Sequence, residues 1–121
     1  MKLPNDKSTS EYIFDIDEAQ FQERVIEASH TQPVLVDFWA DWCSPCLIIA
    51  PVLKKLIPEY EGEVLLAKID ADENMKLCGH YKLRGFPTLL LFVNGEEVER
   101  TGGAQSGQKI RAMIDPHLPT S

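Results

Sequence analysis

The chain has 121 residues, enough for one domain with a single core and too few for two. Hydrophobic residues make up 44% and charged residues 26%, the balance of an ordinary soluble globular domain, which argues against disorder, collagen-like repeats and a coiled coil. A formal net charge of −7, with Lys54-Lys55 as the only adjacent basic pair, excludes an electrostatic nucleic-acid binder.

Residues 1–10 are polar, contain Pro4 and lack periodicity, so they read as a flexible arm ahead of a domain spanning 11–118. A short strand is expected from Tyr12 to Ile16. Asp17 then caps a helix running to about Ala28, with Gln20 completing a capping box. Val34 to Ala40 is short, apolar and nearly continuous, the pattern of a fully buried central strand.

A helix is expected from Ser44 to about Ile57, kinked at Pro51, where the ring removes a backbone donor. Val64 to Ile69 reads as a second inner strand, and Asp72 to Cys78 as a short helix capped by Asp72. Leu89 to Val93, Asn94-Gly95 and Glu96 to Thr101 form the strongest hairpin signal, because a type I′ turn needs positive φ at both central residues. Ser106 to Asp115 closes the chain as an amphipathic helix stopped by Pro116. The order β-α-β-α-β-α-β-β-α predicts an α/β fold: a mixed sheet with helices on both faces.

Cys43-Ser44-Pro45-Cys46 falls where the buried strand ends and a helix begins. Cysteines three apart on a first helical turn come within disulfide reach, and unpaired amides at a helix N-terminus favour a thiolate. Cys43 gains most, being nearest the helix end and expected to be the more exposed. Pro45 has no donor to lose there and stiffens the loop. Asp37, inside an apolar strand six residues before Cys43, should have a raised pKa and can serve as general base toward Cys46. Lys68, in the neighbouring strand, is its expected charge partner; a purely structural Asp37-Lys68 pair is the alternative.

Other readings of the cysteines stay open. Cys78 and His80 would complete a Cys₃His zinc set, although the Cys78-x-His80 spacing is one residue shorter than a usual knuckle. Cys78 otherwise reads as a small buried helix residue. His30, His80 and His117 are scattered and mark no triad. Trp39 is expected in the core, and Trp42 at the surface, available to partners.

Asp37 to Cys46, with Ala50-Pro51, Ala67-Lys68-Ile69-Asp70, Arg84-Gly85-Phe86-Pro87-Thr88 and Asn94-Gly95, resembles the thioredoxin family over roughly residues 12–115. The resemblance implies a thioredoxin fold, a five-stranded mixed sheet flanked by four helices. It also implies a dithiol oxidoreductase that reduces protein disulfides, with Cys43 attacking, Cys46 resolving, and Asp37 and Lys68 as a buried acid and base pair. Pro87 is then cis, and Trp42, Ser44, Pro45, Phe86, Pro87, Gly103 and Ala104 meet the substrate. Ser44, Leu47, Phe86 and Gly102 depart from the residues usual in the family, which bears on potential and partner choice.

The expected redox group is the Cys43-Cys46 disulfide itself, with no separate cofactor or metal. Electrons would come from a reductase of the thioredoxin-reductase type, since nothing in the chain resembles a flavin or nicotinamide site. An odd cysteine count and the absence of a signal-peptide core or a long apolar run suggest a cytoplasmic protein without a membrane segment. The alternative is a docking or chaperone-like module on the same fold, with redox activity secondary.

Overall fold

The computed structural model describes residues 11–119, so the expected arm at residues 1–10 lies outside the described residues. Five strands, β1 (Ile13–Asp15), β2 (Val34–Trp39), β3 (Leu65–Asp70), β4 (Thr88–Val93) and β5 (Glu96–Gly102), form one sheet in the order β1-β3-β2-β4-β5. β3 runs parallel to both β1 and β2, while β4 is antiparallel to β2 and β5. Four helices accompany it among the described residues: α1 (Glu18–Phe21), α2 (Ser44–Leu56), α3 (Met75–His80) and α4 (Gly107–Ile114). The expected mixed five-stranded architecture is therefore the observed one.

Because side chains alternate along a strand, the central strands feed two separate cores. Val34, Val36 and Phe38 of β2 join Ala67, Ile69, Leu90 and Phe92 beneath Phe21 and Cys78, which places α1 and α3 on one face. Leu35, Leu66, Leu89 and Leu91 point the other way, against Ile49 and Leu53 of α2 and Ile110 and Ile114 of α4. The same alternation sends Asp37 and Lys68 to the α2 face. The functional consequence is that the carboxyl lies on the side of the sheet that carries the cysteine-bearing helix.

Local chemistry explains most element ends. The capping box forms as expected, with Gln20 N–H donating to Asp17 Oδ1 and Asp17 N–H to Gln20 Oε1, each at 3.2 Å. Beyond Phe21 the helix widens to a π-helix over Gln22–Glu27 and tightens to a 3₁₀ turn at Ala28–His30. No Gly or Pro stands in that stretch, so the sequence carries no sign of the change. The hairpin tip turns on Asn94 (φ 52°) and Gly95 (φ 83°), both left-handed as a type I′ turn requires. Ser29 pins that tip, its carbonyl and hydroxyl accepting from the Asn94 and Gly95 amides at 2.9 and 2.7 Å.

One helix boundary matches expectation and another differs. α2 passes through Pro51 as one element and ends at Leu56; Pro58 then sits in a 3₁₀ turn, and Glu61 (φ 51°) with Gly62 (φ 93°) reverses the chain. The helix expected from Asp72 begins instead at Met75, and Asp72 does not cap it. Asp70 caps a separate 3₁₀ turn at Ala71–Glu73 by accepting from the Asp72 amide at 3.0 Å. Buried Asn74 fixes the break, donating to the Asp70 carbonyl at 2.9 Å and accepting from the Glu18 amide at 2.8 Å.

Candidate active site

β2 ends at Trp39, and a short turn delivers Cys43 to the N-cap of α2, with φ −96° and ψ 105°. Cys43 and Cys46 form a disulfide with their Cα atoms 5.3 Å apart. Both residues are 4% exposed, so the greater exposure expected of Cys43 is absent in this oxidised state. Crosslinking draws both sulfurs into one small cluster with Ala40, against which Trp39 and Phe86 pack. Position separates them instead. Cys43 Sγ accepts a hydrogen bond from the Cys46 amide at 3.2 Å, a first-turn donor that it shares with the Cys43 carbonyl at 3.1 Å. Pro45 occupies the first turn, and Ser44 and Pro45 are both exposed beside the disulfide.

Asp37 is 2% exposed, and its Oδ1 has no hydrogen-bond partner among the described residues. Burial pushes its pKa up to about 6, with the positive charge of Lys68 acting in the opposite direction. Asp37 and Lys68 are register partners across β2 and β3, yet they form no ion pair. Lys68 Nζ lies over the Trp39 ring, 5.6 Å from its centroid. Lys68 is therefore the charge partner expected of Asp37, acting on its pKa through its charge rather than through a direct ion pair. The long lysine side chain reaches past its register partner to an aromatic face, leaving the carboxyl desolvated. An open cavity of about 450 Å³, lined by Asp15, Asp37, Pro51, Lys54 and Lys68, connects the region to solvent.

Beyond the dithiol, the peptide bond Phe86-Pro87 is cis. Gly103 has φ 84°, a conformation open to glycine, and its amide donates to the Pro87 carbonyl at 3.0 Å, tying the end of β5 to the cis-proline loop. Ala104 follows as an exposed residue. Trp42 is 67% exposed; its Nε1–H donates to Asp72 Oδ2 at 3.0 Å, and its ring meets Phe86 edge-on with centroids 6.0 Å apart. The sequence-predicted residues therefore converge on one end of the sheet, with Lys68 set back from Asp37.

Two features were missed by sequence reasoning, whereas Cys78 is the small buried helix residue expected. Asp72 acts as the acceptor for Trp42 rather than as a helix cap. Leu47, Ile48 and Met75 are exposed at 63%, 62% and 69%. Leu47 and Ile48 fall off the buried stripe of Cys46, Ile49 and Leu53, so helical phase alone would have placed them outward. Cys78 is a free buried thiol whose Sγ faces the Ala71 carbonyl at 3.9 Å, and burial raises its pKa. Cys78→Ser is expected to leave disulfide-reducing turnover at about the wild-type level. Steady-state assay of the variant checks this, and loss of turnover with an unchanged circular-dichroism spectrum would give Cys78 a redox or metal role.

Comparison with known proteins gives a consistent result. The thioredoxin family model matches residues 12–116. The chain is 39% identical to a thioredoxin of Pseudomonas aeruginosa, over 90% of this chain and 99% of that one. It is 37% identical to a thioredoxin of Chlorobaculum thiosulfatiphilum, over 87% and 95% of the two chains. Among solved structures, a mutant thioredoxin from Halobacterium salinarum NRC-1 superposes with a TM-score of 0.78 at 33% identity, covering 90% of this chain and 93% of its own.

Proposed function

The chain belongs to the thioredoxin family and is a thiol-disulfide oxidoreductase, and from that premise we propose that Cys43 is its attacking thiol and Cys46 its resolving thiol. In the reduced protein the Cys43 thiolate attacks a substrate disulfide, forming a Cys43 mixed disulfide and releasing one substrate thiolate. Asp37 takes the proton of Cys46, whose thiolate then attacks Cys43 and releases the second substrate sulfur. Two electrons pass to the substrate, and the Cys43-Cys46 disulfide forms. With its pKa near 6, Asp37 is mostly ionised at neutral pH and suited to accept that proton.

The single observation that carries the role assignment is the hydrogen bond from the Cys46 amide to Cys43 Sγ at the helix N-terminus. It favours negative charge on Cys43 and offers Cys46 nothing equivalent. The family implies protein disulfides as substrates and a reductase as electron donor in general terms. Here the reading is that the Cys43-Cys46 pair is the only redox group, that a separate reductase of the thioredoxin-reductase type re-reduces it, and that the protein works in the cytoplasm. Ser44, Pro45, Trp42, Phe86, Pro87, Gly103 and Ala104 form the substrate surface in this reading. Lys68 modulates Asp37 through its charge. Trp42, Leu47 and Ile48, three of the exposed apolar residues that a docking module would use, directly flank the cysteines in the chain, which favours the redox reading.

Alkylation of the reduced protein across pH, followed by mapping of the labelled cysteine, tests the assignment. Cys43 is expected to react first, with an inflection below the ordinary thiol value of about 8.5. Equal rates at the two cysteines near neutral pH would contradict it.

A further inference from the structure

The chain carries a net charge of −7, yet the groove beside the cis-proline loop is cationic. This open cavity of about 420 Å³ is lined by Lys82, Arg84, Phe86, Pro87, Arg100 and Gly103 among others, with no carboxylate in its wall among the described residues. Arg100 is already spent: its Nε and Nη2 bond Glu97, at 2.6 and 2.8 Å, and its Nη1 donates to the Tyr81 carbonyl at 2.9 Å. Lys82 and Arg84 are different. Both are exposed, and among the described residues neither forms an ion pair.

Lys82 also has φ 57°, a left-handed conformation that glycine adopts without steric cost and a lysine does not. That conformation closes α3 as a left-handed C-cap, the Lys82 amide donating to the Gly79 carbonyl and the Leu83 amide to the Cys78 carbonyl, each at 3.1 Å. The sheet order adds polarity to the site. β2, which leads to the dithiol, lies between β3 and β4. Asp70, Asp72 and Glu73 gather where β3 ends, whereas Lys82 and Arg84 belong to the β4-β5 side, since the Tyr81 carbonyl is held by Arg100 of β5. An extended chain crossing the dithiol thus meets negative charge on one flank and uncompensated positive charge on the other.

We propose that this groove makes the protein selective for disulfide substrates with acidic side chains beside the target cysteine, received by Lys82 and Arg84 as the substrate lies along Phe86-Pro87. The inference rests on the reading of Cys43 as the attacking thiol. It adds an electrostatic preference to a surface otherwise built of apolar groups, acting chiefly on encounter and register.

Three short peptides, each closed by one internal disulfide and differing only in Glu, Gln or Lys beside the cysteines, provide the test. Each is mixed with pre-reduced protein, so that one protein dithiol is oxidised for every peptide disulfide cleaved to two thiols. At low ionic strength the expected order of rates is Glu, then Gln, then Lys, with the extremes differing by roughly ten-fold, the scale of one or two exposed charge pairs. The rates should converge at about 0.5 M salt, where screening shortens the reach of surface charges. Lys82→Gln with Arg84→Gln should collapse the Glu to Lys ratio, and Lys82→Glu with Arg84→Glu should invert it. Equal rates for the Glu and Lys peptides with the wild-type protein, or an order that survives charge reversal, would overturn the proposal. Failure of the wild-type protein to reduce even the Gln peptide would instead overturn the dithiol reading itself.

Discussion

Asp37→Asn is expected to stabilise the oxidised protein at pH 7 by up to about 3 kcal/mol, the linkage value of a carboxyl moved from 3.8 to about 6 by burial. The sign follows from proton uptake. Between those two values the folded protein holds a proton that the unfolded chain has released, so the stability of the wild type falls as pH rises from about 4 to 6. Above pH 6 the whole penalty is present, and removing the charge removes it. Below pH 4 both forms of the wild type are protonated, and the advantage of the variant should vanish. Urea unfolding at pH 7 and at pH 4 checks this, and a stability difference independent of pH would show that ionisation of Asp37 is not its source. The same substitution should slow resolution of the mixed disulfide more than its formation, and should remove an inflection near pH 6 from the resolution rate. Equal slowing of both steps would make Asp37 a structural residue only.

That a destabilising charge sits on the α2 face follows from the sheet. β2 presents Leu35 and Asp37 to the α2 face, where the neighbouring strands contribute Leu66, Leu89 and Leu91. Apolar burial at this position would satisfy stability alone. Among the described residues Asp37 Oδ1 has no partner, which accords with the proton-transfer role proposed for this carboxyl.

The sequence made the strands legible because their apolar runs are short and bounded by turn residues, and Asn94-Gly95 named its own turn type. Cys43 to Cys46 was legible for the same reason: a buried strand followed by a helix start fixes where the motif lies. What the sequence hid depended on contacts between distant residues. Asp72 looked like a cap by composition, but Asn74, held to Asp70 and Glu18, starts the helix later and leaves Asp72 to Trp42. Lys68 was placed opposite Asp37 by register, whereas the reach of its side chain to Trp39 has no trace in strand periodicity. Equal burial of the two cysteines rests on Ala40, Trp39 and Phe86 packing around the disulfide, contacts that helical position alone does not carry. The grouping of Lys82 and Arg84 beside Pro87, apart from Asp70, Asp72 and Glu73, needed the strand order as well.

Cys46→Ser is expected to convert the protein into a trap. Attack by Cys43 on a substrate disulfide gives a mixed disulfide whose normal exit is attack by the Cys46 sulfur, and a serine hydroxyl does not perform that exchange. Cys43→Ser should trap nothing. It removes the capping sulfur that the Cys46 amide addresses and leaves Cys46 inside the first turn of α2, without an equivalent donor to lower its pKa. The two variants, each incubated with a soluble protein extract and resolved without and with reductant, provide the most direct measurement of the two-cysteine mechanism. The account predicts reductant-sensitive complexes with Cys46→Ser and none with Cys43→Ser; equal trapping by both variants, or trapping by neither, would contradict it.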